Sequence, residues 1–330
     1  MLIMASILIC LIAIGTMLLL WPQNDINTKI KINIPKGSTL AQITDLLAEK
    51  NIVTNKNMFI TAASLMGYGN KIPAGIFAFK NANSNYRIVK QLVHGNPEMI
   101  RVTLLEGWTI AQVTQSISES MNLSSEILSS LCYDGQFINE IGMDTESLEG
   151  YLYPDTYLFL ESENDPKEIL NQIVSEFNEV FNDSLMERAQ KLGLTVNEVI
   201  TLASIIEGEA IFDSERAIIS AVYHNRLKKR MLLQADPTIQ YIIKDGPRRL
   251  SLSDLKIDSP YNTYIYRGLT PGPIGNPGKA SILAALYPDD NDYLFFVARG
   301  DGYHTFTRTY DEHNQAKREF QKVRRLATQG

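Results

Sequence analysis

Apolar positions along the chain fall into three registers. From Leu2 to Leu20 they are nearly continuous, and the uncharged run is about long enough to span a bilayer. From Lys29 to Ile34 and from Ile100 to Leu104 they alternate, which predicts short strands, and Gly75–Phe79 reads the same way. Elsewhere the spacing is three and four, the signature of helices with one buried face. It predicts a short helix through Ile88, Val89, Leu92 and Val93, then helices over Pro166–Phe181, Ser184–Leu192, Val196–Glu207, Ser214–Lys229 and Ser281–Leu286. The aromatic-rich stretch Leu148–Phe159 reads as extended, because Pro154 forbids a continuous helix. Loops dominate from Leu232, followed by a buried strand Tyr293–Ala298, a partner strand at His304–Phe306 and a terminal basic helix. The expectation is an α+β chain: a transmembrane helix, a small βα module over residues 28–97, and a mixed α+β domain from 98 to 330.

One unit of this pattern occurs twice. Lys36-Gly37-Ser38-Thr39-Leu40-Ala41-Gln42-Ile43-Thr44 returns as Glu106-Gly107-Trp108-Thr109-Ile110-Ala111-Gln112-Val113-Thr114. Each copy follows an alternating run, so the shared unit is strand, glycine turn, short helix. The identities favour a duplicated element over two unrelated units with the same turn chemistry.

The most informative helix begins at a capping box, Thr195-Val196-Asn197-Glu198. On a wheel, Val196, Val199, Ile200 and Ala203 form one stripe, and Glu207 falls on it one turn later. Glu209 falls nearly opposite, where solvent is expected. A carboxyl among apolar neighbours loses hydration, and its neutral form is favoured, which suits a general acid. The alternative is a glutamate at a helix end that reaches water beside Gly208.

Composition narrows the function. The net charge of −6 argues against a nucleic-acid partner. Two cysteines, Cys10 in the apolar N-terminus and Cys132, give no intramolecular disulfide framework, and four scattered histidines give no metal cluster. The apolar N-terminus lacks a basic flank and a small-residue cleavage site before Trp21, which favours an uncleaved anchor over residues 1–23 against a signal peptide. Lys29 and Lys31 follow the segment, against the usual charge bias for export, although long domains cross largely regardless of it.

There is no P-loop and no nucleophile elbow, and the glycines at 272, 275 and 278 lie among prolines. What remains is one helix-borne acid and loops rich in Tyr, Asn, Gln and Pro, a surface that suits a sugar. Taken in order, Ile34–Thr39, Leu148–Phe159, Leu202–Glu209, Ser214–Arg216, His224–Leu227, Leu233–Thr238, Tyr261–Tyr264, Gly268–Gly278 and His304–Phe306 resemble the YceG-like family of endolytic murein transglycosylases. The resemblance covers nearly everything after the anchor. It implies a LysM-like module at 28–97, a catalytic domain at 98–330, no cofactor and no metal, and Glu207 as the catalytic acid.

It further implies cleavage of the MurNAc-β-1,4-GlcNAc bond inside nascent peptidoglycan strands. Glu207 would protonate the leaving oxygen and then deprotonate the muramyl C6 hydroxyl, giving a 1,6-anhydro end. The implied setting is a single-pass protein of the cytoplasmic membrane with its catalytic domain outside, cooperating with peptidoglycan synthases. A hydrolytic muramidase and a non-catalytic wall-binding scaffold are the rival readings. Gln234, Asp236, Thr238, Asn262 and Tyr264 are candidate saccharide contacts. Glu149 and Asp155 are either substrate contacts or parts of a structural turn. Glu215 is expected to pair with Arg216 or Arg226, Gly208 to loosen the helix end, and His304 to buttress the last strands more than to line the cleft.

Overall fold

The computed structural model describes residues 2–24, 29–69, 71–80, 82–95, 97–244 and 246–327. It is an α+β fold with small antiparallel sheets, divided into two compact units: residues 1–101 with 158–165, and residues 102–157 with 166–330.

In the first unit, α1 (Leu2–Leu20) is long and apolar enough to cross a membrane, and its side chains are largely exposed. Polar contacts tie its end to the rest of the unit. Asn85 Nδ2 donates to the Leu18 carbonyl at 2.8 Å, and buried Gln23 donates to Asn85 Oδ1 at 2.7 Å while accepting from the Thr54 N–H. β1 (Ile30–Ile34) is followed by α2 (Leu40–Glu49) and α3 (Lys56–Leu65). β2 (Gly75–Phe79) pairs antiparallel with β1, Ile32 opposite Phe77, and α4 (Asn85–His94) follows. The alternation in β1 and β2 sends Ile32, Ile34, Phe77 and Phe79 into one core with Leu47, Phe59 and Leu92. Each such side chain contributes about 1.5–3 kcal/mol by leaving water. The sequence pattern had not marked α3.

The chain leaves this unit within β3 (Met99–Thr103). The second unit continues with α5 (Ile110–Met121), α6 (Ser125–Leu131) and α7 (Gly135–Glu140), and then β4 (Thr156–Leu160), which pairs with β3. The duplicated turn is the same in both copies. Gly37 and Gly107 take φ of +78° and +76°, open to glycine without strain. Thr39 with Gln42 and Thr109 with Gln112 then form capping boxes on α2 and α5.

The helices α8 (Pro166–Val180), α9 (Asp183–Leu192), α10 (Val196–Glu209) and α11 (Asp213–Lys228) match their periodicity within a residue or two. α12 (Asp236–Ile242) lies in a stretch the pattern gave to loops, with Pro237 near its start. α13 (Lys279–Leu286) is followed by β5 (Phe295–Ala298) and β6 (His304–Thr307), an antiparallel pair, and by α14 (Tyr310–Ala327). β5 is half-buried where a buried strand was expected.

The single-stripe reading of α10 needs correction. Every residue from Val199 to Ile206 is buried, including Thr201, Leu202 and Ser204, so the helix is enclosed on all sides. A helix wrapped all round belongs to the middle of a domain. Ser204 shows how its polar side is satisfied: its hydroxyl donates to the Thr201 carbonyl and accepts the Ile274 N–H at 3.0 Å.

Candidate active site

The last turn of α10 delivers two carboxyls into different surroundings. Glu207 is 7% exposed at its side chain and is held from two directions. Arg216 of α11 donates from Nη1 to Glu207 Oε1 at 2.9 Å, and the Gly278 N–H donates to Oε2 at 2.9 Å. Arg216 is itself fixed by Asp213 at 2.9 Å and by the Ser281 hydroxyl at 2.6 Å. Gly278 is the N-cap of α13, so Glu207, in the last turn of one helix, faces the positive end of another. The acid therefore does not sit among apolar groups alone, as the wheel suggested; an arginine and a backbone N–H meet its oxygens.

Asn276 builds the frame around this point. Its backbone N–H and its Nδ2 both donate to the Trp108 carbonyl, at 2.8 and 2.7 Å, while its own carbonyl accepts the Gly107 N–H. Its Oδ1 accepts the Leu152 N–H at 2.9 Å. One buried amide thus joins the 105–108 turn, the 148–155 segment and the 268–278 loop.

The second copy of the duplicated turn brings Glu106 to the same place. A Cβ built on Gly278 would lie 1.8 Å from Glu106 Oε1, and one built on Gly107 would lie 3.6 Å from Glu207 Cγ. Burial, with the neighbouring Glu207 charge, holds Glu106 above the usual carboxylate range; Arg216 opposes that shift and Asp213 adds to it. A side chain at position 278 would require the Glu106 carboxyl, which occupies that space, to move aside.

Glu209, expected in solvent, is half-buried. Tyr223, fully buried, donates its hydroxyl to Glu209 Oε1 at 3.0 Å. Burial, with the nearby Asp236 charge second, pushes the Glu209 carboxyl up to about 7. It borders a cavity of about 380 Å³ with Arg226, Gln234, Asp236, Tyr264, Phe296, His304 and Phe320 among its walls. Gly208, between the two acids, does not loosen the helix. A Cβ there would lie 2.6 Å from Pro237 Cβ, so glycine lets the start of α12 close against α10.

A model of the YceG-like family matches residues 32–319. The chain belongs to this family. A Bacillus subtilis (strain 168) protein named endolytic murein transglycosylase is 33% identical over 313 residues, covering 90% of this chain and 86% of its own. A Streptococcus pneumoniae (strain D39) protein of that name is 28% identical over 310 residues, covering 83% of this chain. The match takes in 55% of that protein, so this chain spans about half its length. The crystal structure of a yceG-like protein from Listeria monocytogenes superposes with a TM-score of 0.61 at 31% identity, covering 88% of this chain and 99% of that one.

Within this YceG-like chain the candidate residues separate into two groups. Gln234, Asp236 and Tyr264 gather at the cavity beside Glu209, where the Tyr264 hydroxyl donates to Asp236 at 2.5 Å. Thr238 and Asn262 have structural partners instead. Thr238 donates to the Ala235 carbonyl and shares a bond with Thr263, and Asn262 donates to the Leu255 and Ile257 carbonyls while accepting the Tyr264 N–H. Both are buried with their polar atoms engaged, so neither offers a free group to a sugar.

Glu149 is a buried clamp that accepts the Ile110 N–H at 3.0 Å and the Tyr241 hydroxyl at 3.3 Å. Burial pushes its carboxyl up to about 7. Asp155 is exposed and accepts the N–H of Thr156. Glu215 pairs with neither arginine: it accepts the His304 N–H and meets His304 Nδ1 at 2.8 Å, tying β6 to α11. His304 therefore buttresses the hairpin and also lines the cavity. Among the described residues, no group of three His, Cys, Asp or Glu is placed to hold a metal ion.

Proposed function

We propose that the chain is a peptidoglycan lytic transglycosylase that cuts MurNAc-β-1,4-GlcNAc bonds within nascent strands and leaves 1,6-anhydro-MurNAc ends. Glu207 is the acid–base residue. It gives a proton to the leaving glycosidic oxygen, and its anion then takes the proton of the muramyl C6 hydroxyl as O6 closes on C1. The C1–O4 bond breaks, a C1–O6 bond forms, and no water is consumed. One observation carries this reading: in a chain of the YceG-like family, Glu207 alone in α10 is held at once by an arginine and by a helix N-terminus. That frame fixes a carboxyl in one orientation, as proton transfer requires.

The organisation that goes with this activity is an anchor at 1–23, a LysM-like module at 28–97 and a YceG-like catalytic domain at 98–330. Gln23 and Asn85 join the end of α1 to the first unit, which supports an anchor that stays in place. The protein would sit in the cytoplasmic membrane with its catalytic domain outside, near the synthases that extrude new strands. Gln234, Asp236 and Tyr264 would contact saccharide in the cavity beside Glu209.

Glu106 favours one second reading, hydrolysis, because a muramidase needs a second carboxyl. The test is the mass of the products. The full-length chain in detergent is incubated with uncrosslinked glycan strands, with Glu207→Gln alongside. Muramyl ends lighter by one water, absent with the variant, are the expected result. Hydrated reducing ends would establish the hydrolase, and strands left intact by the wild type would favour a wall-binding scaffold.

A further inference from the structure

On the reading that the chain acts on peptidoglycan strands, we propose that the cavity beside Glu209 also seats a peptide stem. The amino-acid chain that such a strand carries on MurNAc pairs there with the free edge of β5. In the β5–β6 ladder the register sets Phe296 opposite Phe306, Val297 opposite Thr305 and Ala298 opposite His304. One residue further on, the Arg299 N–H donates to the Tyr303 carbonyl at 2.8 Å. Antiparallel pairs alternate between bonded and unbonded. Val297 therefore bonds to β6, while Phe296 and Ala298 turn their N–H and C=O groups to the other edge. Among the described residues β5 pairs with β6 alone, so no strand covers that edge. Arg226 meets its beginning, donating from Nε to the Leu294 carbonyl at 2.6 Å. Beyond Leu294 the edge opens, and Phe296, Val297 and Ala298 line the cavity of about 380 Å³.

Three features decide what this edge takes. The first is its spacing: two residues of strand present donors and acceptors that repeat about every 7 Å. A peptide backbone answers that repeat, as in strand addition, and a chain of pyranose rings does not.

The second is an unspent side chain on the same lining. His313 of α14 is 7% exposed and its ring stacks on Phe295. Its Nδ1 has no hydrogen-bond partner among the described residues. A buried polar atom left unpaired is destabilising, and a ligand that brings a hydrogen-bonding group relieves it.

The third is charge. Burial, then Lys317 and Arg226, hold the His313 imidazole down to about 4, so it is neutral with two cations beside it. Lys317 and Arg226 belong to the lining of the cavity. The sugar backbone of a strand is uncharged, whereas its stems carry carboxylates, which a guanidinium and an ammonium meet well. Gln234, Asp236 and Tyr264 come from other elements of the lining and stay with the sugar to which the stem is joined.

Glycan strands that keep their stems are compared with strands stripped of them by an amidase, using the full-length chain in detergent. The wild type should cleave the stemmed strands with a KM about tenfold lower, the effect of one or two added backbone hydrogen bonds. Ala298→Pro removes one N–H from the free edge, and an edge strand accepts proline where no ladder bond is lost. In that variant the two KM values should come within about twofold of each other. Equal KM values in the wild type would overturn the proposal, and so would a preference that Ala298→Pro leaves intact.

Should the variant not fold, hydrogen exchange on Glu207→Gln, with a synthetic sugar-free stem peptide as the probe, decides. The peptide should slow exchange at Phe296 and Ala298, and stripped strands should not. Protection by stripped strands, with none from the peptide, would give the edge to the sugar and refute the stem. Hydrated ends, or no cleavage by the wild type, would sink the lytic reading, and exchange would still read the stem site.

Discussion

Two glutamates separated by one residue lie in the last turn of the same helix and meet opposite chemistry. Both Glu207 and Glu209 occupy the last turn of α10, where the helix dipole disfavours negative charge. Glu207 is met by a cation and by the N-terminus of α13. Glu209 is met by a neutral phenol and by a second carboxylate, Asp236, beneath the cavity. Helical geometry turns them to different sides, and what packs on each side decides what each can do. The first is held by a guanidinium and a helix start, and the second by a phenol at the wall of a cavity.

The sharpest way to break this contrast is to neutralise each acid in turn. Glu207→Gln should cost about 10²–10⁴ in strand cleavage, the range for removing a general acid–base group. Glu209→Gln, which keeps the hydrogen bond from Tyr223, should stay within about threefold. Steady-state cleavage of glycan strands checks both, and a reversed order would mean that the cavity beside Glu209 is the reaction site.

A smaller effect sharpens the Glu207 side. Gly278→Ala drives a methyl into the Glu106 carboxyl and leaves the N–H to Glu207 in place. Cleavage should fall about tenfold, with the melting temperature lowered by a few degrees, because the exposed part of Glu106 can swing aside. Loss of activity as complete as that of Glu207→Gln would show that the helix start itself had moved.

How much of this was legible in sequence follows from what periodicity can carry. The strands β1, β2 and β3 and the helices α8 to α11 were legible because apolar spacing reports burial within one element. The environment of Glu207 was not, since Arg216, Gly278 and Ser281 are brought to it by tertiary packing across gaps of up to 74 residues, or closed over it by a loop. Glu209 was misplaced for a related reason: a wheel assigns one buried face, and α10 is buried on all sides from Val199 to Ile206, so its last turn has packing on more than one side. Thr238 and Asn262 look like sugar contacts until their backbone partners are seen, as turn-forming residues often do. Glu106 had a signal that went unused. The duplicated turn carries Lys36 in its first copy and Glu106 in its second, a charge reversal inside a repeated frame.

On the Glu209 side the contrast is best tested through stability against pH. The folded carboxyl titrates near 7, raised by burial and by Asp236, whereas an unfolded glutamate titrates near 4.5. The folded state therefore binds the proton more tightly. Stability from this group is fully present below about pH 4.5 and is lost as pH rises through about 7. Glu149, raised in the same way, contributes the same slope. Glu209→Gln removes only the first contribution, so its stability relative to wild type should grow by about 2–3 kcal/mol between pH 5 and pH 8. Denaturant melts at the two pH values read this difference, and a constant offset would mean that the Glu209 carboxyl remains hydrated.

The smallest expected effect concerns the residue between the two acids. Helix propensity alone predicts that Gly208→Ala stabilises, by up to about 1 kcal/mol. Packing predicts the opposite, because the new methyl would lie 2.6 Å from Pro237 Cβ. A pyrrolidine ring cannot swing aside as a flexible side chain would, so relief requires the start of α12 to move. That motion would carry Asp236 away from Tyr264 on the Glu209 side and leave Arg216, Gly278 and Glu207 untouched. Overpacking of this kind costs about 1–3 kcal/mol, which outweighs the propensity gain. The net expectation is a loss of about 1 kcal/mol, read by chemical denaturation, with kcat within about twofold of wild type and KM raised, because Asp236 is a proposed saccharide contact. A gain in stability would mean that α12 yields freely, and a large loss of kcat would mean that the two glutamates are not independent.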